Sequence, residues 1–537
     1  MDSGASALVN TLKKAGVDVV FGIPSVHNIR LYESLRKEPT IQHVLCRQET
    51  AAAHMADGFA RARNQLGVVI TSTGPGTGYV VPAIQEAWGS CSPVLLITTN
   101  IPTSEIGKGR GVLHELENQE TLFRNITKAT ILVRSEDSIQ DLTQEAIHIA
   151  LSGRQGPVYL EVPCDLLEKQ ISAKSKSKPK KEEELKASPH IEQALSLLRD
   201  SKQPILIVGE EAIRVGASAD IIALAETLAA PVITTSNAKG VISEDHFLSI
   251  GNAARRGMVR KMVQYCDVAL AIGTRLREVD AKRRGLSLPR LIHIDWDDRW
   301  IGKNFPAEVA LTGDIHRIIT MVLEKSEPAP CAKERLKWIK KMKNKLEAEV
   351  EEIRRAHVEL EYLDVIRKVL PRESILVIDN TQLGYWAEYF YPSYCPGGLI
   401  GAKGSSTIGF AFAAAIGVKI ASPERPILAL IGDGGFLYST QELETCVRRK
   451  IRFPIIVVND NAYGVIAYLQ RTKYQAEYES RLTNPDFIAL AKAYGVRASR
   501  VDSPAGLAKE LEKALASEDL WIIELAATFP ESVFGIY

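Results

Sequence analysis

Two hydrophobic periods alternate along this chain. Short apolar runs rich in β-branched residues recur, each closed by glycine, proline or a polar turn. Between them, apolar residues fall at helical spacing. VVFGIP, HVLC, GVVITS, PVLLITT and GPVYLEVP read as strands in the first third, and PILIVG, PVITTS, VALAIGT and LIHIDWD in the second. ILVIDN, PILALI, PIIVVN and WIIELA follow in the last. Nearly continuous apolar runs are what strands covered on both faces need, and strands separated by helices pair in parallel. The pattern predicts an α/β chain of three doubly wound parallel-sheet domains.

The alternation breaks twice. Residues 169–188 contain SAKSKSKPKKEEELKAS, charged and almost free of large apolar side chains, which reads as a solvated linker. SEPAPCAKERLKWIKKMKNKLEAEVEEIRRAH starts at a proline-rich break and continues as a long charged helix. These breaks divide the chain into sections 1–168, 189–328 and 350–537.

Composition narrows the classes. A chain of 537 residues is too long for one core. Lys+Arg 66 against Asp+Glu 65 leaves no basic surplus, so no nucleic-acid partner is indicated. No apolar run reaches the length of a membrane span, and MDSGASALVNTLKKAG reads as a helix with no signal-peptide pattern. The seven cysteines are scattered without a CxxC pair, as in reduced core thiols of a cytoplasmic protein.

Chemistry concentrates in residues 427–464, which read strand, glycine turn, helix, strand, polar turn. Ser439 and Thr440 are helix starters before QELETCVRRK. One βαβ unit of this kind puts Asp433 and Asp460 at the carboxyl ends of parallel strands, where open α/β sheets bind ligands. Two carboxylates beside a Gly-rich turn suit a hard divalent cation holding a phosphate.

GDGGF followed by NDNAYG, with 27 residues separating Asp433 from Asp460, resembles the binding signature of thiamine diphosphate (ThDP) enzymes. HVLCRQETAAAHMADGFARA resembles the segment carrying their catalytic glutamate, here Glu49. VFGIPSVHNIRLYESL is similar to their opening segment, with Gly22 and Pro24 in place and Ser25 where glycine is usual. TSTGPGTGYVVPAIQEAW, with Pro75, GRQGPVYLEVPCDLL and GSSTIGFAFAAAIG resemble three further segments. The resemblance spans most of the chain and implies pyrimidine-binding, central and diphosphate-binding domains.

It also implies roles. Mg²⁺ would be held by Asp433, Asp460 and the Ala462 carbonyl, with Asp460 standing where the family most often has Asn. Glu49 would hydrogen-bond N1′ of the aminopyrimidine. Ile408 would prop the cofactor into its bent form, and Gly432, Gly434 and Gly435 would admit the diphosphate. Asn380, Thr381 and Gln382 would form a second cradle, and Ser406, Tyr463, Gly464, Val465 and Ile466 would also contact the cofactor. The active unit implied is a homodimer with sites at the subunit interface, commonly arranged as a homotetramer.

The substrate implied is a small 2-oxo acid, decarboxylated through a C2 carbanion and enamine, then protonated or joined to a second carbonyl. GKGRGVLHELENQ places His114 and Gln119 where related enzymes face substrate, while His27 reads as a cap or core residue. This wording looks closest to a 5-guanidino-2-oxopentanoate decarboxylase branch, and the broader resemblance is to acetolactate synthases. The middle section has AIGTRLREVDAKRRG where acetolactate synthases carry a GARFDDRVTG-like stretch beside their flavin, which argues against FAD. Two other classes are disfavoured. A nicotinamide oxidoreductase lacks a GxGxxG after any strand, and an inactive homologue is opposed by intact Glu49, Asp433 and Asp460.

Overall fold

The computed structural model describes residues 3–171, 190–253, 257–282 and 285–536. Most of the expected linker, residues 172–188, lies outside them.

Three six-stranded sheets form, with helices between the strands. The first holds β1 (Val19–Gly22), β2 (Gln42–Leu45), β3 (Gly67–Thr71), β4 (Val94–Asn100), β5 (Thr130–Leu132) and β6 (Val158–Pro163), in order β2-β1-β3-β4-β6-β5. The second holds β7 (Pro204–Val208), β8 (Val232–Thr234), β9 (Ser249–Asn252), β10 (Val268–Ile272), β11 (Arg290–Asp295) and β12 (Val309–Thr312), in order β12-β11-β10-β7-β8-β9. The third holds β13 (Ile375–Ile378), β14 (Leu399–Gly401), β15 (Ile427–Gly432), β16 (Pro454–Val458), β17 (Arg497–Val501) and β18 (Trp521–Leu525), in order β14-β13-β15-β16-β18-β17. Every pairing between these strands is parallel.

The first and last domains share one hydrophobic core. Its seam is the helix Glu49–Arg63 against the helix Phe410–Ala421. Both are alanine-rich because their backbones touch. A Cβ on Gly58 would lie 2.2 Å from the Ala414 carbonyl oxygen, and one on Gly417 would lie 1.9 Å from that of Met55. The central domain has its own core. The charged helix Ala332–Ala356 buries Ile339, Met342 and Leu346 in that core and turns most of its charges to solvent.

The βαβ unit at 427–464 forms as expected, with one shift. Gly432 pairs with Val458, so the chain leaves both strands at the same sheet edge. A short helix, Asp433–Phe436, intervenes before the helix Glu442–Arg449. Thr440 does not cap the second helix; its hydroxyl donates to the Phe436 carbonyl at 2.6 Å.

Candidate active site

Asp433 begins the short helix after β15 and is 2 % exposed. Its Oδ1 accepts the Gly434 N–H at 2.7 Å, and its Oδ2 accepts Asn484 Nδ2 at 2.7 Å. Asp460 lies in the turn after β16, where Oδ1 accepts the Ala462 N–H at 3.2 Å. Burial raises both carboxyls. Asp460 is pushed up to about 7, first by burial and then by the charge of Asp433. Two desolvated carboxylates that repel each other require a cation to be ionised together.

The segment 480–484 straps this turn in place. Tyr463 donates its N–H to the Ser480 carbonyl at 2.9 Å, and Leu482 donates to the Asn461 carbonyl at 2.7 Å. That pairing delivers Asn484, which the sequence did not single out, to Asp433. The Asn-Pro dipeptide at 484–485 marks a turn, but nothing local names its target.

Between these groups lies a cavity of about 180 Å³. It is lined by Asp433, Asp460, Ala462 and the three glycines at 432, 434 and 435, by Asn380, Thr381, Gln382, Ser406 and Ile408, and by Tyr463, Gly464, Val465 and Ile466. All the expected cofactor residues of the last domain thus meet at one place, joined by Tyr385. The glycines have a steric reason: a Cβ on Gly434 would lie 2.7 Å from the Tyr463 ring. Ser406 adopts φ +59°, with its carbonyl fixed by Asn380 Nδ2 at 2.7 Å.

The donor set fits a Mg²⁺-diphosphate group. Gln382 is 2 % exposed, yet neither atom of its amide has a partner. An orphaned buried amide on a cavity wall is unfavourable unless a ligand satisfies it. Among the described residues no group of three His, Cys, Asp or Glu side chains is placed to hold a metal. A cation here would rest on two carboxylates, a carbonyl and its own ligand's oxygens, as hard cations accept.

No first-domain residue lines this cavity. Gly22, Pro24, Glu49, Pro75, His114 and Gln119 belong instead to the carboxyl edge of the first sheet. Gly22 ends β1, and a Cβ there would strike the Ile70 carbonyl oxygen at 2.2 Å. Pro24 follows on the loop after that strand, and Pro75 opens a one-turn helix after β3. Glu49 is the first residue of its helix, capped by Gln48 Oε1 on the Ala51 N–H at 3.3 Å. A helix start favours the carboxylate, but burial outweighs it and Glu49 is raised. Its Oε1 lies 3.4 Å from where a Gly76 Cβ would sit, so the turn Ser72–Gly76 packs on it.

Gln119 was expected to face substrate. The structure buries it, with Oε1 accepting the Gly74 N–H at 3.1 Å. Nε2 donates to the Thr99 carbonyl and to Glu161 Oε2, both at 2.9 Å. Its amide is fully spent in fixing the Gly74 turn.

The anchor of Glu49 comes from the last domain. Glu442 accepts the Arg47 N–H at 3.0 and 3.2 Å and the Thr445 hydroxyl at 2.7 Å. The helix after the GDGG turn thereby holds the backbone two residues before Glu49. Burial pushes the Glu442 carboxyl up to about 7.

Comparison with known proteins matches all three domains. Residues 2–122, 191–322 and 379–525 match the N-terminal TPP binding, central and C-terminal TPP binding domains of thiamine pyrophosphate enzymes. A probable 2-ketoarginine decarboxylase of Pseudomonas aeruginosa is 33% identical over 97% of this chain and 94% of its own length. A probable acetolactate synthase large subunit of Methanocaldococcus jannaschii is 31% identical over 97% and 91%. The acetolactate synthase large subunit of Lactococcus lactis is 28% identical over 99% and 93%. With its three domains matched in order and relatives above 30% identity spanning the chain, the chain belongs to the thiamine pyrophosphate enzyme family.

Proposed function

We propose that this protein is a ThDP- and Mg²⁺-dependent decarboxylase of a 2-oxo acid, with 5-guanidino-2-oxopentanoate as the favoured substrate. The observation that carries the reading is the pair Asp433 and Asp460, buried and mutually repelling beside the unpartnered Gln382 amide. Asp433, Asp460 and the Ala462 carbonyl would hold Mg²⁺, while the glycine turn and Gln382 meet the diphosphate. When bound, ThDP would supply a nucleophilic carbon and an electron sink for the pair left when the carbon–carboxyl bond breaks. Glu49, its carboxyl raised by burial, would hold and share a proton at N1′ of the aminopyrimidine. The Ser72–Gly76 turn, fixed through Gln119, keeps Glu49 on that line.

The guanidino substrate is favoured by the 33% relative and by the wording of residues 107–119. Acetolactate synthesis from pyruvate is the second reading, favoured by the 31% relative. FAD is outside the proposal. At the carboxyl edge of the second sheet Arg154 is held by Asp295 at 2.6 Å and Arg275 by Glu210 at 3.4 Å. The buried Glu211 beside them has both oxygens unpartnered, a poor setting for a flavin diphosphate.

The division of the site supports a homodimer reading. Val26, Ile29, Tyr79 and Leu113 are exposed at the Glu49 edge. Tyr438, Ile466, Leu469, Tyr474 and Tyr478 are exposed on and around the diphosphate-site segments of the last domain. Apolar patches of this kind mark interfaces, and a two-fold would bring Glu49 of one subunit over the cavity of its partner. Two such dimers would make a homotetramer. No helix among the described residues is long and apolar enough to cross a membrane, and all seven cysteines are free, in keeping with a cytoplasmic setting. The test is CO₂ release with ThDP and Mg²⁺ from a panel of 2-oxo acids. 2-Oxoarginine giving CO₂ and guanidinobutyraldehyde supports the first reading; pyruvate giving acetolactate supports the second.

A further inference from the structure

We infer that Glu86 of the first domain is a positioning residue for the cofactor cavity of its own chain, gripping the loop that carries Ser406 and Ile408. The inference rests on the cofactor reading above.

Ser406 and Ile408 line the cavity from irregular backbone between β14 and the helix Phe410–Ala421. Two positive φ angles fall in this stretch, +59° at Ser406 and +82° at Gly409. Glycine takes such an angle freely, but serine is strained there and stays only where its surroundings hold it. A buried carboxylate holds each end of the stretch. After Ile408, Asp379 of the same domain accepts the Gly409 N–H at 3.2 Å and the Ala411 N–H at 2.8 Å. Before Ser406, the carboxylate comes from another domain. Glu86 Oε1 accepts the Gly404 N–H and Oε2 the Ser405 N–H, both at 2.7 Å.

Glu86 lies on the helix Val81–Gly89 and is fully buried. Helix and loop touch through their backbones. A Cβ on Gly89 would lie 2.4 Å from the Gly404 carbonyl carbon, and one on Gly404 would lie 2.1 Å from the Glu86 carbonyl oxygen. The contact runs past Ser406, since the Thr407 hydroxyl donates to the Pro82 carbonyl at 3.3 Å.

The surroundings keep Glu86 charged. Arg61 Nη2 donates to Glu86 Oε1 at 3.2 Å and to Asp57 Oδ2 at 2.6 Å, and the Ser90 hydroxyl donates to Oε1 at 2.9 Å. Burial pushes the Glu86 carboxyl up, but the Arg61 charge and the Ser405 and Gly404 N–H groups outweigh it and hold the acid below its ordinary value. Charge-assisted bonds from such a group are short and directional.

The same loop is gripped at its other polar groups. Arg61 Nη1 donates to the Gly401 carbonyl at 2.8 Å, and Arg277 of the central domain donates to the Lys403 carbonyl at 2.7 Å. Ionised side chains from the other two domains thus hold the backbone of residues 401–405. A network serving only to join domains has no need to end on the N–H groups one and two residues before Ser406. Releasing Glu86 would let Ser406 leave its left-handed angle and carry Ile408 with it, so that the wall would no longer match the cofactor.

The experiment uses the full-length protein. Glu86→Gln keeps the side-chain shape but offers one acceptor oxygen to two N–H groups. Glu86→Asp keeps the charge beside Arg61, and with it the fold, but is too short to meet both. In each, the Kd for ThDP at saturating Mg²⁺, read by fluorescence quenching, should rise about 10- to 100-fold. Ser406→Gly added to Glu86→Gln should recover part of that loss, because glycine takes the positive φ without being held. Without cofactor, the Gly404 and Ser405 amides should exchange hydrogen faster in Glu86→Gln than in the wild type. A lowered melting temperature with an unmoved Kd, no recovery by Ser406→Gly, or unmoved exchange at Gly404 and Ser405 would each overturn the positioning role. A wild type with no saturable quenching by ThDP and Mg²⁺ overturns the cofactor reading instead, and the exchange at Gly404 and Ser405 then still judges the grip.

Discussion

Asn484 donates its side-chain amide to Asp433 Oδ2 at 2.7 Å and to Asn459 Oδ1 at 3.0 Å, tying both strand-end turns to one loop. The bond orients a carboxylate whose job under the proposed function is to hold a cation. Partners of this kind raise affinity without touching the metal. Asn484→Ala should therefore weaken Mg²⁺ binding about 10- to 100-fold, measured as the Mg²⁺ dependence of ThDP quenching, with little change in far-UV circular dichroism. Unchanged Mg²⁺ dependence would remove Asn484 from the site.

Asp460 adds a second negative charge beside a diphosphate. Asp460→Asn removes the repulsion from Asp433 and keeps an oxygen ligand. Cofactor affinity at neutral pH should be preserved or improved. A severe loss, measured by the same titration, would show that the extra charge is required.

Glu442 links pH to stability. Its carboxyl lies at about 7 in the folded chain against an ordinary 4.5. Between those values the folded state keeps a proton that the unfolded chain has lost. Stability therefore falls as pH rises through that window, and the penalty, about 3 kcal/mol, is complete above it. Glu442→Gln mimics the protonated acid. Its melting temperature should fall less than that of the wild type between pH 5 and pH 8; parallel curves would refute the assignment.

The strands show what was legible in the sequence. β1, β3, β4, β6 and their counterparts in the other two sheets are buried on both faces, so their apolar runs announce them. The strands that escaped reading, β5, β9, β12, β14 and β17, all lie at sheet edges. β17 buries only Val501, and β5 and β14 have three residues each. Edge strands need pairing on one side only, which leaves little pattern to detect. In the site, Asp433, Asp460 and Glu49 were readable because strand ends and turns have local signatures. Asn484, Glu442 and the inward turn of Gln119 were not, because each acts through a partner distant in sequence.

A shared site predicts complementation. Glu49→Gln and Asp433→Asn chains should each be inactive alone. Refolded together, they should regain activity, since mixed dimers contain one site with both residues intact. Activity that stays absent, with mixed dimers verified by mass, would place the whole site within one chain.

Under the proposed function, ThDP binds at the Asp433–Asp460 cavity and is activated through Glu49. This is tested most directly by titrating ThDP with Mg²⁺ into wild type, Glu49→Gln and Asp433→Asn while following tryptophan fluorescence and CO₂ release. Saturable quenching is expected in wild type and Glu49→Gln, loss of quenching in Asp433→Asn, and CO₂ release by wild type alone. Saturable quenching in Asp433→Asn equal to wild type, or full turnover in Glu49→Gln, would contradict it.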